Sequence, residues 1–129
     1  MAGAVVHFEI PADDPERAQG FYREAFGWGV DPMPDLSYAM LRTVPVDGQG
    51  RPVEPGAING GMLRRQGVWQ APLVVIDVED IPAALAEVQR LGGATVREMT
   101  PVGEMGFAAY FTDTEGNLVG LWESAAPTD

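Results

Sequence analysis

A shift of 66 residues lays this chain over itself. Ile10 falls on Ile76, Asp14 on Asp80, Ala18 on Ala84 and Gly27 on Gly93. Further on, Val30 falls on Val96, Asp47 on Asp113 and Gly50 on Gly116. Residues of these kinds end strands, cap helices and make turns, so the repeat predicts two copies of one supersecondary unit. With 129 residues there is room for one domain with a proper core and not for two ordinary ones. The expected organisation is a single domain over 1–129, with a first module at 4–64, a linker at 65–71 and a second module at 72–124.

Each copy opens the same way. Val5 to Ile10 reads as a short strand, and Asp14 is placed to cap a helix whose first residue, Pro15, has no N–H to leave unsatisfied. Ala18, Phe21, Tyr22, Ala25 and Phe26 recur at helical spacing as an apolar stripe, and Gly27 suits a left-handed stop. In the second copy Leu73 to Val78 is strand-like and Asp80 is the cap. Ile81, Ala84, Leu85, Val88 and Leu91 form the stripe, and Gly92 and Gly93 end it. Three shorter strands are expected after each helix, the clearest at 37–44, 57–64, 94–98, 107–112 and 118–123. Pro45 to Gly56 reads as a hairpin loop, and Asp113-Thr114-Glu115-Gly116 as a tight turn. The pattern predicts an α+β fold of two tandem βαβββ modules. Each helix should cover one face of its own sheet, leaving the other face free to enclose a shared cavity.

The chemical inventory is small. There is no cysteine, so disulfides, thiolate nucleophiles and cysteine metal sites are excluded. All eight basic residues are arginines, which removes lysine Schiff-base chemistry. A formal charge of −11 opposes phosphate backbones and anionic membranes, and Arg64-Arg65 is the only adjacent basic pair. Neither a run of eighteen apolar residues nor a basic-then-apolar leader is present, so the expectation is a cytoplasmic protein without nucleic-acid or membrane partners.

His7 is the single histidine. On an extended first strand His7 and Glu9 point away from Val6, Phe8 and Ile10, which look like the face beneath the helix. His7 and Glu9 then face the cavity. Three roles are open to His7: ligand contact or acid–base chemistry, a structural hydrogen bond, or metal ligation. Leu118, Gly120 and Trp122 share one face of the last strand, where a glycine beside a tryptophan leaves room for a ligand or for tight packing. Trp28, Tyr38, Trp69, Phe107 and Trp122 are the candidate aromatic walls, with ordinary core or dimer-interface packing as the alternative for each.

From His7 to Glu123 the chain resembles the glyoxalase/bleomycin-resistance/extradiol-dioxygenase superfamily, also called vicinal oxygen chelate. The resemblance rests on His7-Phe8-Glu9-Ile10, Asp14-Pro15-Glu16, Phe21-Tyr22, Phe26-Gly27-Trp28, Leu91-Gly92-Gly93 and the run Phe111 to Trp122. It implies paired βαβββ modules forming a cupped mixed sheet with helices on its outer face, often completed or duplicated by dimerisation. Metal-dependent members carry four cavity ligands given symmetrically by both modules. By that resemblance the first-strand ligand maps onto His7, its counterpart onto Leu73, and the others onto Gly120 and near Gly61. A gapless shift from Gly120 lands instead on Glu54, in the Pro/Gly-rich loop, and Glu123 is one face out of register. One imidazole does not hold a divalent ion alone, so no metal and no cofactor are expected. The function this implies is noncatalytic binding of an apolar or aromatic small molecule by a homodimer, for sequestration, resistance or sensing. His7, Glu9, Trp28, Tyr38, Trp69, Phe107 and Trp122 are its candidate contacts. The alternative is a lyase, isomerase or dioxygenase-like enzyme, either metal-independent through His7 as the catalytic group or with a metal site rebuilt through Glu54, Glu9 or another chain.

Overall fold

The computed structural model describes residues 3–48 and 51–125. The chain divides into two compact units, one of residues 7–72 and one of the strand start before residue 7 with the residues from 73 onward. The first run of elements is β1 (Val5–Ala12), α1 (Pro15–Phe26), β2 (Gly29–Met33), a 3-10 turn (Pro34–Leu36), β3 (Tyr38–Arg42) and β4 (Asn59–Arg64). The second is β5 (Leu73–Asp77), α2 (Ile81–Arg90), β6 (Ala94–Val102), β7 (Gly106–Thr112) and β8 (Leu118–Ser124). The βαβββ order therefore occurs twice, in an α+β fold.

Within the first module the strand order is β2-β3-β4-β1, and in the second it is β5-β8-β7-β6. In both, the strand before the helix pairs in parallel with the last strand, and the remaining pairs are antiparallel. The β2 strand was not assigned from sequence because Asp31 and Pro32 interrupt its apolar pattern. It lies at the end of its sheet, where a strand proline loses no ladder bond.

Repeat positions carry the same local chemistry. Asp14 accepts from the Arg17 backbone N–H at 3.1 Å, and Asp80 from that of Ala83 at 3.0 Å. Asp47 Oδ1 accepts from the N–H of Arg51 at 3.0 Å, and Asp113 Oδ1 from that of Asn117 at 2.9 Å. Gly27 ends α1 with φ 73°, a conformation that favours a residue without Cβ. These short-range bonds explain why the repeat is visible as scattered identities: they fix turns and caps, while the rest drifts.

The helices differ in how they bury themselves. Ile81 and Leu85 of α2 pack with Ala109, Phe111 and Leu121, supported by Ile76, Val78, Ala84, Val88, Phe107 and Val119. Around α1 the buried members are Ala12, Leu41 and Met62, with Phe8, Ile10, Ala18, Tyr22, Trp28 and Val30 packed on them. No α1 residue is itself fully buried. The sequence stripe was too wide: Phe21 and Phe26 are 61% and 65% exposed, and so is Leu91 at 63%. In α1 only the 18/22 edge of the stripe meets the sheet. Ile81→Ala is expected to cost roughly 2–4 kcal/mol, the range for truncating a fully buried aliphatic side chain, whereas Phe21→Ala changes stability by less than about 1 kcal/mol. Urea unfolding of both variants measures the difference.

Candidate functional site

Strand alternation separates two faces in the first module. Phe8 and Ile10 of β1, Leu41 of β3 and Met62 of β4 lie under α1. Their neighbours His7, Glu9, Tyr38, Met40, Asn59 and Gly61 therefore project from the opposite face. Register places His7 beside Asn59 and Glu9 beside Gly61 on the parallel pair β1/β4.

Tyr38 joins the polar groups of that face. Its Oη donates to Glu9 Oε2 at 2.8 Å and lies 2.8 Å from His7 Nε2. A phenol has one proton. With that proton given to Glu9, His7 Nε2 carries the other hydrogen and donates to the phenolic oxygen. The relay is His7 N–H to Tyr38 O–H to the Glu9 carboxylate. Glu9 is only 5% exposed, so a hydrogen-bond donor is what makes its burial tolerable. Burial pushes the His7 imidazole down to about 4, which leaves it neutral at pH 7.

Gly61 makes room for this arrangement. A Cβ built there would collide with Oη and Cζ of Tyr38. The glycine is therefore the space the tyrosine fills, at the position where a donor side chain was considered from sequence. The second module has a related but looser contact. Tyr110 on β7 pairs with Gly120 on β8, and a Cβ on Gly120 would stand 3.1 Å from Val75 Cγ2 and 3.2 Å from Tyr110 Cε2. Leu73 and Val75 alternate with Ile76 on β5, so they project from the face opposite α2. These two hydrocarbon residues occupy the repeat positions of His7 and Glu9.

The remaining sequence candidates separate. Trp122 alternates with Leu121 and lies away from α2, over Gly106, whose Cβ would come 2.6 Å from the indole Cζ2. Phe107 does not join it. It packs with α2 in the core, because Phe107, Ala109 and Phe111 share the helix face of β7. Trp28 likewise belongs beneath α1, stacked on Tyr22 at 4.7 Å and 9° and tilted against Phe8 at 5.8 Å. The chain turns back at Gly27, which carries Trp28 onto the helix side. Trp69 closes a hairpin with Gln66 through backbone bonds of 2.9 and 3.3 Å. Glu54 is exposed, in a turn closed from the Ala57 N–H to its carbonyl. Glu123 Oε1 accepts from the Ile81 N–H at 2.8 Å and so serves the start of α2.

Asn59 was missed from sequence. It is 8% exposed, and its Oδ1 accepts from the N–H groups of Thr43 at 2.7 Å and Val44 at 3.1 Å. It pins the end of β3 to β4. Its only sequence signal is the Ile58-Asn59-Gly60-Gly61 run, which reads equally as a turn.

The donor set does not fit a four-ligand metal centre. Among the described residues no three His, Cys, Asp or Glu side chains gather to hold an ion. Tyr38 fills the space over Gly61, Gly120 has hydrocarbon of Val75 and the Tyr110 ring against it, and Leu73 offers no lone pair.

Residues 4–43 match the family described as bleomycin resistance protein-like N-terminal. A glyoxylase-like domain-containing protein from Didymella fabae is 28% identical over 120 residues, which cover 91% of each chain. A methylmalonyl-CoA epimerase of Streptomyces coelicolor, solved with 2-nitronate-propionyl-CoA, aligns over 100% of this chain and 99% of its own. The TM-score is 0.68 at 17% identity. A hypothetical protein from Bacillus halodurans C-125 aligns over 100% and 99% with a TM-score of 0.66 at 15% identity. Paired βαβββ modules with these neighbours define the vicinal oxygen chelate fold. In sequence the chain is similar to a bleomycin resistance protein-like N-terminal segment and to a glyoxylase-like domain protein.

Two outcomes are expected of the relay. His7 is neutral in the fold down to about 4, while in the unfolded chain it protonates near 6.5. Acid therefore favours the unfolded chain: this contribution is constant above pH 6.5 and is lost as pH falls from there toward 4. The loss is at most roughly 3 kcal/mol. His7→Gln keeps a donor for Tyr38 but does not titrate, so subtracting its urea stability from the wild type's across pH 4–7 isolates the slope. Separately, Gly61→Ala is expected to destabilise by roughly 1–3 kcal/mol through collision with Tyr38. In a Tyr38→Ala background most of that cost should disappear, a coupling read by a double-mutant cycle.

Proposed function

We propose that this chain binds a small, uncharged, apolar or aromatic molecule without catalysing its conversion, as a sequestering, resistance or sensing protein. The bound molecule lies on the helix-free face of the first module. Its polar floor is His7, Glu9 and Tyr38. The observation that carries this reading is the tyrosine bridge: Tyr38 Oη stands within 2.8 Å of both His7 Nε2 and Glu9 Oε2, over Gly61. A face whose histidine is neutral and whose carboxylate is already hydrogen-bonded suits orientation of a ligand better than bond making. The matched description of a bleomycin resistance protein-like segment agrees with a binding role.

A metal-independent enzyme is the second reading, favoured by the relay itself, which links an imidazole to a buried carboxylate through one hydroxyl. Against it, an imidazole pushed down to about 4 is a weak base at neutral pH. The partners proposed are a second copy of the chain and the ligand, in the cytoplasm. Nucleic acid is disfavoured by the charge of −11. No helix among the described residues is long and apolar enough to cross a membrane.

A compound screen by thermal shift, confirmed by calorimetry, tests the proposal. Saturable binding that survives EDTA and weakens roughly tenfold in Tyr38→Phe is the expected result, the order of one lost hydrogen bond with its partner left buried. Turnover of a bound compound that His7→Gln abolishes would transfer the assignment to the enzyme. An empty screen would remove both.

A further inference from the structure

His7 and Asn59 stand side by side at one register position of the parallel pair β1/β4, on the helix-free face. Side chains so placed rise from backbones about 4.8 Å apart. Each has one hydrogen-bonding atom committed to the protein. His7 uses Nε2 toward Tyr38 Oη, whose own proton goes to Glu9. The neutral imidazole then presents a lone pair at Nδ1, and no described residue donates to it. Asn59 uses Oδ1, which takes the N–H groups of Thr43 and Val44 and also lies 3.2 Å from Thr43 Oγ1. The two backbone N–H donors on that oxygen fix which end of the amide is nitrogen, since the Thr43 hydroxyl gives its one proton to the Ile58 carbonyl at 2.7 Å. Its Nδ2 is buried with no hydrogen-bond partner among the described residues. A buried donor left unmatched is costly, and native structures usually supply its acceptor from the protein, a water or a ligand.

We infer that His7 Nδ1 and Asn59 Nδ2 form an acceptor–donor pair that reads the N–H and C=O of a primary carboxamide or lactam. This deepens the proposed binding role and rests on it. A primary carboxamide presents an N–H and a carbonyl oxygen on one edge, and so does a lactam, whose ring holds the amide cis. An open-chain secondary amide is trans and points the two groups in opposite directions. An ester has no proton for Nδ1. A carboxylate has none either, and it brings a charge onto a face that already holds Glu9. The pair therefore selects on hydrogen-bond pattern among molecules of nearly equal shape, where a binding site discriminates best.

Benzamide, methyl benzoate and sodium benzoate are suitable probes, since they share a ring and differ at this edge. The chain has a single histidine, so in the 15N-labelled full-length protein the imidazole nitrogens give one unambiguous pair of signals. Benzamide is expected to shift the Nδ1 signal saturably, in the direction of an accepted hydrogen bond. The ester and the carboxylate should bind at least about tenfold more weakly, the order of one hydrogen bond left unmade. Asn59→Asp keeps an acceptor for Thr43 and Val44, replaces the Nδ2 donor by oxygen, and should abolish the preference for benzamide. The wild-type Nδ1 shift stands as evidence should that variant fold poorly. Equal binding of benzamide and methyl benzoate would overturn the inference while leaving a small-molecule site in place. So would an unmoved Nδ1 signal in a protein that binds other screened compounds. If no compound of any class binds, the inference and the proposed function fall together.

Discussion

Glu9 is a carboxylate in a buried position, and a buried carboxylate persists only when hydrogen-bond donors reach it. The Tyr38 hydroxyl is such a donor, and everything distinctive about the first module follows from that contact. Because the phenol gives its proton to Glu9, it can only accept from His7, which fixes the imidazole tautomer and keeps Nδ1 as an acceptor. Because the ring must lie over β4 to make the contact, residue 61 has no room for a side chain. The glycine, the tyrosine, the histidine and the glutamate form one device rather than four independent features.

The second module uses related packing for a different end. Tyr110 lies beside Gly120 more loosely than Tyr38 lies over Gly61, and the neighbouring positions are Val75 and Leu73 instead of Glu9 and His7. A pseudo-symmetric scaffold has thus been made chemically one-sided, with hydrogen-bonding groups in one copy and hydrocarbon in the other. Glu123, the one carboxylate near the end of β8, is committed to the Ile81 N–H and belongs to the start of α2.

Local chemistry made much of the fold readable in the sequence. The caps at Asp14 and Asp80 and the turns built on Asp47 and Asp113 depend on residues within four positions and recur in both copies, while the left-handed glycine after the helix is Gly27 in one and Gly92 in the other. Strand alternation also placed His7 and Glu9 away from the helix face, and it kept Glu123 out of the site. Less was readable where a side chain's partner is remote. The Tyr38 contacts span 29 and 31 residues and exist only once the β3/β4 pairing brings Gly61 beneath the ring. Asn59 depends likewise on the end of β3. Trp28 and Phe107 went to the wrong face for a related reason. Aromatic character announces burial but not direction, which for Trp28 is set by the turn at Gly27 and for Phe107 by the register of β7 against β8.

The protonation state of His7 is where these consequences converge, because a desolvated imidazole held to a phenol cannot easily take a second proton. A titration of its ring signals by NMR, in the intact protein, measures that state without interference from other histidines. The account predicts a midpoint of about 4. A midpoint near the ordinary value of 6.5 would contradict it, since His7 would then be a solvated surface group rather than part of a buried hydrogen-bonded floor.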